Sequence, residues 1–379
     1  MSKTTSAKAK QSSQGPLVIW HGMTVPRMCE LLSKGPNLHW TRAGHIAFLP
    51  FMGLYNSVMS GAESLIYGSR IKKVKLEKPP VFILGFWRSG TTLLHNLMTS
   101  DPQFSYPTMY ETLFPSHFLV TEKINTTLTA PFVPKSRPMD NMPVAWDVPQ
   151  EDEVALCILT LISPYSLLAY PHDVDENIPS LHVESLPEAK KQRWKDALDR
   201  FVRKLTVRSK KQIVLKSPSH TYRIETLLKM YPDAKFVYIY RNPLDVFNST
   251  CHLRRTMIQE NTLGRPIFKD VEQEVKRLYR LAFDRYQTDK QLIPEGHLHE
   301  VRYESLAAEP VEEMEKIYAS LNLDHVDEMK KAVEPQVEKL KNYKKNKFDP
   351  DPVLAKEIYT EFRDAYEKYG YQPPLPDLE

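Results

Sequence analysis

The segment VFILGFWRSGTTLLHNLM, residues 81–98, constrains this chain more than any other. Val81 to Gly85 is an apolar run of buried-strand length, and Thr91 to Ser100 reads as a helix. The loop squeezed between them, Gly85-Phe86-Trp87-Arg88-Ser89-Gly90-Thr91-Thr92, has little room to wander. Such a turn aims unpaired N–H groups and the positive end of a helix dipole at one point, which suits a phosphate-like anion. Gly90 permits close backbone approach, and Thr91 and Thr92 add hydroxyl donors. With only 12 glycines in 379 residues, the pairing of Gly85 with Gly90 stands out.

The rest of the chain repeats this rhythm. Ile213 to Lys216 is a second strand, after which Ser217-Pro218-Ser219 opens a helix running to about Tyr231. Lys235 to Tyr240 is a third strand, rich in β-branched and aromatic residues, and Asn242-Pro243 starts the next helix. His297 to Arg302 reads as a fourth strand with a helix after Tyr303. From Ser185 to Thr206, Trp194, Leu198, Phe201, Val202 and Leu205 share one helical face. Alternating strands and helices imply parallel pairing with right-handed crossovers. The fold class expected is α/β, a P-loop-type parallel sheet flanked by helices, with helical N- and C-terminal extensions. The expected divisions are a disordered tail at 1–15, a helical extension at 16–78, a catalytic domain at 79–350 and a C-terminal helix and tail at 351–379. That last helix is expected near Ala355 to Tyr369.

The loop spacing equals that of a Walker A motif, except that Thr91 stands where lysine reaches the β- and γ-phosphates. A nucleotide kinase or ATPase is therefore the weaker reading, and Arg88 can supply positive charge instead. An ordinary βα turn with capping threonines is the simpler alternative. Arg241 ends the third strand and Ser249 lies two helical turns beyond it. Open α/β sheets bind ligands outside the carboxyl ends of their strands. One extended ligand with two anionic groups can therefore touch both Gly85–Thr92 and Arg241; a surface salt bridge with Asp245 is the plainer role for that arginine. The balance of 51 basic and 47 acidic residues leaves only +4, so anion binding is local and nucleic acid is not an expected partner.

The motifs FILGFWRSGTTLLHNLM, LKSPSH, KFVYIYRNPLDVFNS and VRYESL together resemble the sulfotransferases that use 3′-phosphoadenosine 5′-phosphosulfate (PAPS). They span Pro80 to Leu306 and are most similar to the broad bacterial and eukaryotic branch that includes tyrosylprotein sulfotransferases. The resemblance implies that Arg88, Ser89, Gly90, Thr91 and Thr92 hold the 5′-phosphosulfate and that Arg241 and Ser249 hold the 3′-phosphate. It places Tyr303 near the adenine and has Lys344 or Lys345, in the basic run 341–347, close over the 3′-phosphate. It also implies a hydroxyl acceptor, in-line transfer without a metal, and Lys216 as the cation at the departing oxygen. A scaffold that binds nucleotide but lacks its base is the alternative from outside the enzymes.

The base is open at this point. The cytosolic branch has a histidine two places after the strand lysine, but Pro218 stands there and cannot accept a proton. The protein-tyrosine branch uses a glutamate some twenty residues after the loop arginine, and Glu111 fits that place. Glu151 and Glu153, in the acidic run before an apolar helix, are rivals; acids at a helix start also simply complement its dipole. His117 is a weaker candidate, and His220 is expected to face elsewhere. His297 and His299 share a strand face without a third ligand nearby, so no metal site is expected.

Three well-separated cysteines suit a reducing, cytoplasmic compartment. The first fourteen residues are polar and resemble no secretory signal. Residues 46–66 are apolar but interrupted by Pro50, Asn56 and Glu63, so a membrane span is not expected. They read as a buried helix pair, with an interfacial segment backed by Lys72, Lys73, Lys75 and Lys78 as the alternative. Acceptor choice is expected between Tyr106 and Tyr170, where Phe114, Phe118, Phe132, Trp146, Tyr165 and Tyr170 hint at an apolar, lipid-like alcohol as well as at core packing. The glycosylation patterns at Asn125 and Asn248 read as chance matches. Oligomeric state is not written in these residues.

Overall fold

Val81–Leu84 (β1) is wholly buried, and its side chains alternate between two separate cores: Val81 and Ile83 join one, Phe82 and Leu84 the other. A strand buried on both faces needs helices above and below it, as parallel sheets have. The computed structural model describes residues 18–36, 38–132, 145–170, 178–341 and 351–376. The tail at 1–15 and both Lys344 and Lys345 lie outside the described residues.

Four strands join β1: β2 (Phe104–Ser105), β3 (Gln212–Lys216), β4 (Lys235–Tyr240) and β5 (Leu298–Arg302). All neighbours are parallel, in the order β2-β3-β1-β4-β5. Val81 stands beside Val214 on one side and Lys235 on the other. The helices are α1 (Val25–Ser33), α2 (Ala43–Lys73), α3 (Thr91–Ser100), α4 (Met109–Leu113), α5 (Phe118–Thr129), α6 (Asp152–Thr160), α7 (Glu188–Arg208), α8 (Ile224–Met230) and α9 (Pro243–Asn261). Beyond these come α10 (Val271–Asp289), α11 (Tyr303–Ala308), α12 (Pro310–Ser320), α13 (Val326–Lys341), α14 (Pro352–Glu361) and α15 (Arg363–Tyr369).

Leaving β1, the chain turns into α3, which packs Leu94, Leu97 and Met98 against the Val81 face together with residues of α11, α12 and α13. The helices that follow β3 and β4 pack on the Phe82 face through Ile224, Leu227, Val246 and Phe247. Because β1 sends its helix one way and both neighbours send theirs the other, the carboxyl end of β1 opens a crevice, the usual ligand site of such sheets. Trp20, Met28, Leu31 and Met52 before the sheet, and Ile358, Phe362 and Tyr366 after it, share the Phe82-side core.

Four local expectations change. Residues 46–66 belong to one continuous helix and are not a helix pair; Pro50 lies on the exposed side, where the loss of one ladder bond is tolerated. The segment after Ser217 divides into a 3-10 turn, Pro218–Tyr222, and α8, because Thr221 is held to Gly85 and Arg223 turns toward Glu153. The C-terminal helix breaks at Phe362, whose ring packs 4.6 Å from that of Tyr279. The two-residue strand β2 is too short to leave a periodic signal.

A buried ion pair fastens α2 to α7. Lys204 Nζ lies 2.6 Å from Glu63 Oε1 with both side chains inaccessible, and the other Glu63 oxygen accepts from Leu119 N–H. Burial pushes the Glu63 carboxyl up and the Lys204 ammonium down to about 8. Lys204→Met strands a buried carboxylate and is expected to cost about 3–5 kcal/mol in urea unfolding, much of it recovered by adding Glu63→Gln. An unchanged denaturation midpoint would contradict this.

Candidate active site

Parallel strands deliver their carboxyl ends to one edge, and each end here carries a candidate side chain. Gly85 sits at φ 143°, where a Cβ would stand 2.6 Å from the Ile239 carbonyl oxygen. Thr221 clamps it, its hydroxyl accepting from Gly85 N–H at 2.9 Å and donating to Gly85 C=O at 3.0 Å. Gly90 caps α3 at φ 109°, and a Cβ there would meet the Tyr303 ring at 2.4 Å. Both positions thus require glycine for backbone and space together. Between them Arg88 occupies the left-handed region at φ 67°, uncommon for a side-chain-bearing residue. The first-turn N–H groups of α3, including those of Thr91 and Thr92, have no intrahelical acceptor.

Arg88 bends toward α9: its Nε donates to Ser249 Oγ at 2.9 Å. Thr250, the next residue, donates to the Trp87 carbonyl at 3.0 Å and holds α9 against the loop. At the end of β4, Arg241 lies 4.5 Å over the Tyr303 ring, the same ring that touches Gly90. Arg241 also makes the anticipated salt bridge to Asp245 at 2.9 Å, while its buried Nε has no hydrogen-bond partner. The two positive clusters, separate in sequence, therefore adjoin on one face through Ser249 and Tyr303.

Lys216 ends β3, almost inaccessible, with its Nζ 2.7 Å from Glu151 Oε1. The other Glu151 oxygen accepts from the Tyr165 hydroxyl, which in turn receives the Trp87 indole N–H at 3.3 Å. The following acids are committed as well. Asp152 meets His220 Nε2 at 2.6 Å, and Glu153 meets Arg223 at 2.6 Å, all buried. The acidic run therefore fastens α6 to the segment after β3, a tertiary role beyond the helix dipole. His220 faces this clamp.

Glu111 follows β2 and is fully buried. One carboxylate oxygen accepts from Thr108 N–H at 2.8 Å, closing a capping box, and pairs with Arg208; the other has no hydrogen-bond partner. Burial, opposed by Arg208, pushes its carboxyl up to about 7. The backbone at Pro107–Thr108 pairs with Pro149–Gln150, so the Glu111 and Glu151 segments run side by side. His117 bonds Thr121 and Asn56, with burial driving it down to about 4, a structural position. His95, in the second turn of α3, went unremarked in sequence: it is wholly buried, and neither ring nitrogen has a hydrogen-bond partner. A lone histidine on an apolar helix face carries no signal by itself. His297 and His299 bond the Ala234 carbonyl and Ser320, and among the described residues no cluster is placed to hold a metal. Ser249 of the second glycosylation pattern is buried beneath Arg88.

A model of the sulfotransferase family matches residues 79–328, a stretch that contains all the strands of the described residues and the whole loop cluster. The chain belongs to the sulfotransferase family. Over 364 residues, 95% of this sulfotransferase and 92% of the relative, it is 30% identical to the omega-hydroxy-beta-dihydromenaquinone-9 sulfotransferase Stf3 of Mycobacterium bovis, and equally to that of Mycobacterium tuberculosis. Its fold resembles the crystal structures of sulfotransferase STF9 from Mycobacterium avium and STF1 from Mycobacterium tuberculosis. For STF9 the TM-score is 0.65 at 17% identity, over 95% of this chain and 93% of that one. For STF1 it is 0.59 at 18% identity, over 89% and 90%. The kinase and ATPase readings fall away, in keeping with Thr91 at the lysine position.

Beside the loop of this sulfotransferase lies an open cleft. Its wall is mainly apolar, formed by Trp87, Tyr165, Leu167, Leu253, Met257 and Leu278. Of the aromatic residues singled out in sequence, Tyr165 alone among those with described side chains lines it. Phe114, Phe118 and Tyr170 are buried in the core and Trp146 is half-buried, while the Phe132 side chain lies outside the described ones. Pro164 and Leu167 come from the segment where acceptor contacts were expected, but much of the wall, from α9 and α10, lies beyond it.

Proposed function

We propose that this sulfotransferase moves a sulfuryl group from PAPS to the hydroxyl end of an apolar, lipid-like alcohol. The observation that carries the donor reading is the adjoining of Arg88, Ser249, Arg241 and Tyr303 beside a two-glycine cradle. A donor with an adenosine and two separated anionic groups fits this set: backbone N–H groups and Arg88 at one end, Ser249 and Arg241 at the other. The unpartnered Arg241 Nε is a donor awaiting an acceptor. Bound there, PAPS supplies an activated sulfuryl group whose bond to the bridging oxygen breaks on transfer.

The chain's own residues do the remainder. Lys216 neutralises charge developing on the departing oxygen, and Glu151 and Tyr165 hold its ammonium in place. Glu111 takes the proton from the acceptor hydroxyl; a general base works best with a pKa near the operating pH, and this one stands at about 7. Its pinned oxygen fixes orientation while the other is left to accept. The cleft beside Trp87 and Tyr165 receives the apolar acceptor, supported by its lining and by the menaquinone substrate in the name of the 30% identical relative.

Thermal unfolding with 3′,5′-ADP, ATP with magnesium and buffer tests the donor reading. At a hundredfold excess over Kd, 3′,5′-ADP is expected to stabilise by about 2.7 kcal/mol, with little effect of ATP. Arg241→Ala is expected to remove most of that selectivity. A larger shift with ATP would overturn the reading, and transfer of labelled sulfate to sugars in preference to long-chain alcohols would overturn the acceptor class.

A further inference from the structure

Helix α2 turns an apolar stripe to solvent. Phe51, Leu54, Val58 and Leu65 are 63%, 62%, 56% and 88% exposed. At 100° per residue they fall within about 60° of one another, so they form one line along the helix. Helix α5 lies alongside, tied by hydrogen bonds between Tyr55 and Asn125, and adds Ile124 and Leu128, which are equally bare. Large apolar side chains left bare on two adjoining helices mark an interaction site.

Charge says what covers it. The 31 residues of α2 contain a single acid, Glu63, and that side chain is buried against Lys204. Exposed charge on this helix is cationic: Arg70, Lys72 and Lys73 crowd its last turn, and Lys123 stands beside Ile124 on α5. One phenylalanine, two leucines and a valine on one line, cations in the last turn and no exposed acid along the helix suit a segment lying flat at an anionic lipid interface. Among the described residues no helix is long and apolar enough to cross a membrane, so the contact is peripheral.

We propose that the α2–α5 face seats the protein on an anionic phospholipid bilayer. The assignment stands independently of which alcohol accepts the sulfuryl group, because none of these residues belongs to the loop cluster or the cleft. Seating here brings an enzyme for lipid-like acceptors to the phase where such acceptors dissolve.

The test is flotation of the full chain with phosphatidylcholine vesicles, with and without phosphatidylglycerol. Wild-type protein is expected to float with the anionic vesicles and to be released by salt. Removing Arg70, Lys72 and Lys73 as serines is expected to cost about fivefold in partitioning per charge. The combined variant Phe51→Ser, Leu54→Ser and Leu65→Ser is expected to lose roughly a hundredfold. Both variants keep wild-type circular dichroism and turnover of a water-soluble alcohol. The proposal is overturned if wild type floats with neither vesicle, if the serine variants float as well as wild type, or if light scattering shows a dimer that the apolar variant splits. The last result would assign the face to a second copy of the chain.

Discussion

Glu111→Gln is expected to lower kcat by about 10²–10⁴-fold while 3′,5′-ADP affinity stays near wild type. The amide keeps the capping geometry at Thr108 but cannot take a proton from the acceptor. The wild-type rate should rise with pH and level off above about 7, since burial holds the Glu111 carboxyl there and only its ionised form accepts. In the variant that limb disappears. Stability moves the opposite way. A carboxyl raised from 4.5 binds its proton more tightly in the folded chain, so its contribution is full below the unfolded value and lost as pH climbs through about 7. Urea unfolding at pH 5 and pH 8 should therefore show Glu111→Gln gaining on wild type at the higher pH. Near-normal turnover in this variant would move the base elsewhere, with Glu151 next in line.

Lys216→Met should be nearly as damaging, with about 10²–10³-fold lost from kcat and a much smaller change in donor affinity. Glu151→Gln is expected to act through the same lysine. It removes the counterion that holds the ammonium 2.7 Å away and weakens turnover about tenfold. In the double variant the two losses should not add, because a positioning group has nothing left to position. Steady-state kinetics on the four proteins of this cycle measures the coupling. Full additivity would mean that Glu151 serves the reaction separately from Lys216.

How much of this was legible beforehand depended on distance along the chain. The loop from Gly85 to Thr92 and its flanking strand and helix form one contiguous stretch, and the parallel strands follow from runs of apolar residues closed by polar punctuation. Arg241 and Ser249 could be set at the same sheet edge from sequence alone, because every parallel strand brings its carboxyl end there. Their meeting with Arg88 and Tyr303 could not be read, since it turns on side-chain directions across 161 residues. The acids at 151–153 show the same limit. As a run they look like dipole partners, yet each is committed to a different cation or imidazole some 65 to 70 residues away.

The amino-acid sequence by itself determined the strand–loop–helix cradle, the alternating architecture and the family, because these rest on local periodicity and on residues close in the chain. Only the tertiary structure decided which carboxylate is spoken for, where the apolar cleft opens and which side of α2 remains bare. Pairing of buried charges and the choice of exposed face depend on what packs against each element, and that is set by partners distant in sequence.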